Sequence, residues 1–427
     1  MKKVLRVFLS IAIASGLSMT GCKQEGNGTS MLYALLALAG PGSTTYRGVT
    51  PEGDFVEMII NRAGKTVTLS NYTTGETGLG PYAYAGLDPS TEGGGFTIIN
   101  RAAIGTGDAL PDNGYILFTE APGEIAVTGV FYEDGSPYLG PVFGMAVDNG
   151  PKSQYYSETY NLLHIIEDDD GMGHPDGIFG FAAFDRAGST PLDGQLWGVA
   201  YSLRHDDGYP LGDGNFGVSS LEKDAVTGAW VDWDAPPADP PSNADWDDAV
   251  ALLGNHDKIV EFLFGANTGL GGGGIAIPQT ESGAFNASKY PGTYATITYT
   301  YDCSTETMDV PEPYRAVIAA DAQIQIFDFN GNPLFSATLE PWDEDSINYF
   351  YTTSGISASS DPGIRPASEC RGMFLASESG VTLIVILDPD GRYAGFYLVN
   401  YNSSETIPDD DFIAFGLAIK DGSYVNP

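Results

Sequence analysis

Two short segments concentrate the oxygen atoms that a hard cation would need. Asp168-Asp169-Asp170-Gly171 continues to His174-Pro175-Asp176-Gly177, placing four Asp and three Gly within ten residues between apolar runs. His205-Asp206-Asp207-Gly208, continuing to Asp213-Gly214-Asn215, has a similar composition. Calcium takes six to eight oxygens from carboxylates and backbone carbonyls in loops. Asp168, Asp170, Asp176, Asp206, Asp207 and Asp213 are therefore candidate calcium ligands, weighted above Asp409–Asp411. The spacing is not that of an EF-hand: counted from Asp168, position five is Met172, and the closing bidentate Glu is missing. Asp and Gly are also good turn formers, so the same residues read as two tight acidic loops.

Constellations for catalysis are fragmentary. There is no G-x-S-x-G elbow, and Gly271–Gly274 lacks the Lys and helix start of a phosphate loop. Gly254-Asn255-His256-Asp257 resembles the GNHD signature of metallophosphoesterases, which implies an Asn and a His helping to hold two metals. The rest of that family's pattern departs here. His164, His174, His205 and His256 are the only histidines, no Asp stands two residues before any of them, and Gly212-Asp213-Gly214-Asn215-Phe216 lacks its second Asp. Asn255 serves equally as a helix cap. A carboxylate pair acting on a glycan is compatible with 56 acidic residues, but sequence spacing does not show which two lie ~5–10 Å apart. Trp230, Trp233 and Trp246 flank an acidic Pro-rich stretch, where they could stack on sugars or fill a core.

Charge narrows the partners. Lys and Arg total 19 against 56 Asp and Glu, a net charge of −37, which would repel nucleic-acid phosphates and anionic lipid headgroups. The acids divide into 36 Asp and 20 Glu. Asp competes for the backbone inside helices and prefers turns, so this excess suits loop-rich β structure. With 55 Gly, 27 Pro and 42% hydrophobic residues, the chain predicts a real core built from many short elements.

The N-terminus reads as an address. Lys2, Lys3 and Arg6 precede an apolar run over 7–17, which is too short to span a bilayer. Leu17-Ser18-Met19-Thr20-Gly21-Cys22 follows. This segment resembles the lipobox of bacterial lipoproteins, with Met19 where Leu is usual. The resemblance implies a signal peptide over 1–21, cleavage before Cys22 and diacylglycerol on its sulfur, which several acyl chains would make a firm anchor. Lys23, standing where inner-membrane retention commonly uses Asp, implies an outer-membrane destination, facing the periplasm or the cell surface. In that oxidising setting Cys303 and Cys370 either pair, closing a 67-residue loop worth ~4 kcal/mol by chain entropy, or remain as two buried thiols.

Those features need elements to position them, and the punctuation is that of strands. Residues 55–60 and 66–72 flank Arg62-Ala63-Gly64-Lys65, and residues 125–132 run into Glu133-Asp134-Gly135-Ser136. Along 294–301, Ala295, Ile297, Tyr299 and Tyr301 fall on one face and Tyr294 with three Thr on the other. Residues 322–327 and 334–339 form a hairpin with an Asn-Gly tip. Residues 381–387, Asp388-Pro389-Asp390-Gly391 and 392–401 predict the strongest hairpin, with Pro and Gly where a type I turn favours them. Residues 412–419 are a nearly all-apolar strand. A single short helical segment is predicted near 243–265, capped at Ser242 or Asn243 and again at Asn255.

The expected fold is mainly β, with antiparallel sandwich or barrel domains. The predicted organisation is a signal peptide at 1–21, a lipidated tether at 22–45 and an N-terminal β-rich domain at 46–232. An acidic Pro-rich linker with helix and Gly-rich loop follows at 233–288, then a C-terminal β domain at 289–427 with the expected disulfide. The expected role is non-catalytic binding or scaffolding at the bacterial envelope, stabilised by calcium, with the membrane and a glycan or protein as partners and no nucleic acid. A glycan-directed hydrolase and a calycin-like carrier of a small apolar ligand are the alternatives.

Overall fold

In a computed structural model the chain is described over residues 43–83, 97–100, 114–132, 137–146, 159–166, 176–186, 194–202, 210–211, 222–223, 229–232, 246, 250–255, 259–264, 272–302, 307–309, 313–328, 331–342, 371–400 and 412–420, apart from Glu52 and Lys65. Three antiparallel sheets follow one another in sequence. The first holds β1 (Thr44–Val49), β2 (Phe55–Asn61), β3 (Thr66–Asn71), β4 (Glu76–Ala83), β5 (Thr97–Asn100), β6 (Gly114–Ala121), β7 (Ile125–Tyr132) and β8 (Pro137–Ala146), in the order β4-β3-β2-β1-β8-β7-β6-β5.

The second holds β9 (Thr159–Ile166), β10 (Asp176–Arg186), β11 (Gly194–Ser202), β12 (Pro210–Leu211), β13 (Glu222–Lys223), β14 (Trp230–Asp232), β15 (Val250–Asn255), β16 (Ile259–Phe264) and β17 (Gly272–Pro278). Its order is β12-β11-β10-β9-β17-β16-β15-β14-β13. The third holds β18 (Gly292–Ile297), β19 (Tyr299–Asp302), β20 (Thr307–Asp309), β21 (Pro313–Ile318), β22 (Gln323–Phe327), β23 (Pro333–Thr338), β24 (Glu340–Pro341), β25 (Met373–Glu378), β26 (Val381–Leu387), β27 (Tyr393–Asn400) and β28 (Phe412–Lys420). Its path is β23-β22-β21-β18-β28-β27-β26-β25-β24, with β19 pairing β28 and β20.

One plan recurs three times. In each unit the first strand pairs with the last: β1 with β8, β9 with β17, and β18 with β28. Each is thus a meander curled back on itself, the arrangement that brings a sheet toward barrel closure. The third comes nearest. Leu339 alone separates β23 from β24, and this extended run pairs β22 on one flank (Gln323 with Thr338) and β25 on the other (Glu340 with Leu375). Across the remaining gap the Ser336 amide donates to the Glu378 carboxylate at 2.6 Å.

The apolar strands of the third sheet are apolar because both of their faces are buried. Along β26, Leu383, Val385 and Leu387 point into the curled sheet, while Ile384 and Ile386 point out of it. The inner set packs with Tyr294, Phe335, Phe374 and Phe396 and fills the interior. The outer set joins Ala121, Ile125, Val127 and Phe143 of the first sheet and Leu163, Ile165, Ile259, Ile275 and Ile277 of the second in one continuous seam. Along β28 the division is by size. Ile413, Phe415, Leu417 and Ile419 face the seam, whereas Ala418 faces inward and a Cβ on Gly416 would come within 2.9 Å of the Phe396 ring.

The predicted hairpins at 55–72, 322–339 and 381–401 form between β2 and β3, β22 and β23, and β26 and β27. Gly391 N–H donates to the Asp388 carbonyl at 2.8 Å, and the Asp388 carboxylate accepts the Arg392 amide at 3.0 Å, which fixes the last of these turns. Ala295, Ile297, Tyr299 and Tyr301 all reach the seam, as their alternation implies.

Of the helical segment predicted near 243–265, the described residues 250–255 and 259–264 are strands and only Trp246 is helical. Those strands, β15 and β16, pair antiparallel from Val250 opposite Phe264 to Asn255 opposite Ile259. Six-residue runs are too short to hold a helix unaided, and β-branched and aromatic residues take the strand when neighbours offer partners, here β14 and β17. The Gly-rich stretch expected as a loop is partly the buried strand β17, flanked by β16 and β9. Its glycines permit close approach: a Cβ on Gly273 would lie 2.1 Å from the Thr50 carbonyl oxygen, and one on Gly274 2.6 Å from that of Leu163. Val250–Asn255, Ile259–Phe264 and Gly272–Pro278 therefore belong to the second sheet.

Candidate functional site

Two ion pairs of the described residues, Arg62–Glu120 and Arg392–Glu124, meet at one turn. Ala121-Pro122-Gly123-Glu124 joins β6 to β7, with the Glu124 amide donating to the Ala121 carbonyl at 2.9 Å and Gly123 at φ +76°. Pro at the second position and a positive-φ Gly at the third are what a type II turn requires. The turn carries an acid at each end, and each acid is held by an Arg and a Tyr.

Glu120 lies on the concave side of the first sheet, its side chain 7% exposed and ion-paired with Arg62. Tyr46, fully buried, donates its hydroxyl to Glu120 at 2.9 Å. The same oxygen accepts from Arg62 at 3.0 Å and from the Gly123 amide at 3.0 Å. Arg62 also reaches the Thr44 hydroxyl at 2.8 Å. Burial, then the adjacent Glu120 charge, pushes the Tyr46 hydroxyl well above its ordinary range, so it stays a proton donor.

Glu124 faces the third sheet. Its carboxylate pairs with Arg392 at 2.7 Å and accepts the Tyr393 hydroxyl. Burial raises the Tyr393 hydroxyl strongly, with the hydrogen bond and charge of Glu124 acting in the same direction. Arg392 stays charged: burial opposes it, and Glu124, Tyr393 and Asp388 together more than offset that cost.

The second and third sheets are joined in a similar way. Tyr397 donates to the His164 carbonyl, and the fully buried Asn161 donates to the Arg371 carbonyl at 2.9 Å while accepting from Gln279 at 3.2 Å. Burial pushes the His164 imidazole down to about 3, against a small rise from its bond to the Gly272 backbone, so it is neutral at ordinary pH. Between the first and second sheets Trp246 stacks on Phe55, with ring centroids 4.5 Å apart and planes 9° apart.

This arrangement fastens sheets together. A glycan-cleaving pair needs one carboxyl that gives up a proton and one that stays ionised, both facing substrate. Glu120 and Glu124 are each occupied by an Arg and a Tyr hydroxyl. Trp246, a candidate sugar platform, is 2% exposed with its ring against Phe55.

Of the candidate cation ligands, Asp176 opens β10, where its backbone pairs with Ile166. Asp168, Asp170, Asp206, Asp207 and Asp213 lie outside the described residues, as do Cys22, Cys303 and Cys370. Within the GNHD string, Asn255 ends β15, and His256 and Asp257 lie outside the described residues. Among the described residues no group of three or more His, Cys, Asp and Glu is placed to hold a metal, and no helix is long and apolar enough to cross a membrane. The Ala-Pro-Gly-Glu turn escaped the sequence reading, although Pro-Gly between two strand-like runs marks a turn and the flanking acids set it apart.

No family model matches the chain, and no curated protein matches it. Among solved structures, it is similar to intact Ap-TbpB with its N and C lobes, at 11% identity over 88% of this chain and 77% of that one, with a TM-score of 0.25. It is also similar to a protein of unknown function from the DUF3598 family of Nostoc punctiforme PCC 73102, at 10% identity over 90% of this chain and 97% of that one, with a TM-score of 0.15. Likenesses at these scores carry no argument about this chain, whose architecture rests on its own strand pairing.

Proposed function

We propose that this chain is a lipid-anchored protein of the bacterial envelope with a non-catalytic binding or scaffolding role, held at the outer membrane through Cys22. The observation that carries the binding role is that both faces of the third sheet's central strands are already occupied. Tyr294, Phe335, Phe374 and Phe396 fill its interior, and its outer face makes the seam with the other two sheets. A calycin-like carrier needs room inside such a sheet, where these side chains stand. In the third sheet the surface left for a glycan or protein partner is that of its turns and rim. The strongly negative charge speaks against nucleic acid as that partner.

Two experiments test this reading. The full-length precursor is expressed in a Gram-negative host and fractionated: the wild type is expected with the membranes and Cys22→Ala in the soluble fraction, and retention of the variant overturns the anchor. The purified mature chain is titrated with N-phenyl-1-naphthylamine, an apolar fluorescent probe: no saturable binding is expected, and stoichiometric saturation restores the carrier. Calcium stabilisation through the Asp168–Asp176 and Asp206–Asp213 loops is part of the same proposal. Thermal unfolding in calcium, in chelator and in sodium chloride of equal ionic strength separates specific binding from charge screening. Calcium at ~100 times its dissociation constant stabilises by ~2.7 kcal/mol, whereas equal shifts in both salts remove calcium from the account.

A further inference from the structure

We draw no further inference here: the strongest candidate, the Leu334 end of strand β23, where that side chain is 53% exposed on the rim of the third sheet, is a lone exposed apolar residue among the described residues, and nothing in the structure shows what covers it.

Discussion

The Tyr393 hydroxyl of the third sheet donates to the carboxylate of Glu124 at the tip of the first sheet's β6–β7 hairpin, 269 residues earlier in the chain. Arg392 reaches the same oxygen at 2.7 Å. Two adjacent residues leaving one turn thus grip one acid on another. A contact of such sequence separation closes a long loop, at an entropy cost that pairing within one hairpin does not carry. The pair therefore reports on the docking of the first sheet with the third and not on either hairpin alone.

Glu124→Gln keeps the size of the side chain and an acceptor but removes its charge. A charge-assisted hydrogen bond contributes ~1.5–3 kcal/mol when buried. Glu124 and Arg392 are 28% and 29% exposed, so solvent screening reduces this, and we expect a loss of about 1–2 kcal/mol in denaturant unfolding. A double-mutant cycle with Arg392→Met should give a coupling of about 1 kcal/mol. Additive losses would mean that the two residues are merely adjacent.

Gly273→Ala tests the approach of the first sheet to the second. The new methyl would stand 2.1 Å from the Thr50 carbonyl oxygen, a backbone atom that cannot rotate away. We expect a cost at or above the ~1–3 kcal/mol usual for overpacking. Gly283→Ala is the control, since its Cβ meets nothing within 4 Å. That change should stay within about 0.5 kcal/mol. Equal midpoints for the two variants would show that the sheets are not in close contact at Thr50.

Much of the local structure was legible from the residues, and the long-range structure was not. The Asp388-Pro389-Asp390-Gly391 turn could be read because Pro and Gly fix its backbone locally. The face shared by Ala295, Ile297, Tyr299 and Tyr301 could be read because strand alternation is local as well. The β15–β16 hairpin was misread because apolar runs of this length suit either a helix or a two-sided strand, and only the partners β14 and β17 decide. Gly272–Gly274 looked like a loop because a sequence does not show that the Thr50 carbonyl arrives from another sheet. The site was hidden for the same reason: Glu124, Arg392 and Tyr393 are common residue types, and only their meeting across two sheets distinguishes them.

His164 should make stability depend on pH in a defined direction. Its imidazole titrates at about 3 in the folded chain against 6.5 in a free one, through burial. Between those values the unfolded state holds the extra proton, so stability rises with pH, by up to ~1.4 kcal/mol per unit for one proton. The contribution is fully present above pH ~6.5 and is lost as pH falls toward 3. Paired carboxylates act in the same direction below about pH 5, so the useful quantity is the difference from His164→Gln between pH 5 and 7. We expect the wild type to have the steeper slope there. Parallel curves would mean that His164 is not dry in the folded state.

Leu383 and Ile384 are neighbours in sequence with opposite surroundings, which makes them a paired test of the shared seam. Leu383 lies inside the third sheet with Phe374 and Phe396, and Ile384 lies outside it with residues of the other two sheets. Both are fully buried, so Leu383→Ala and Ile384→Ala should each cost ~2–5 kcal/mol, and total stability will not separate them. The location of the damage should. Hydrogen exchange read by mass spectrometry is expected to speed up for Leu383→Ala chiefly in peptides spanning β21–β27, because the cavity opens into that sheet alone. For Ile384→Ala it should also speed up in β7, β8, β9 and β17, whose Val127, Phe143, Leu163 and Ile275 share the seam. If exchange in both variants stayed within the third sheet, the three sheets would be separate folding units that merely touch, and the shared seam would carry no stability between them.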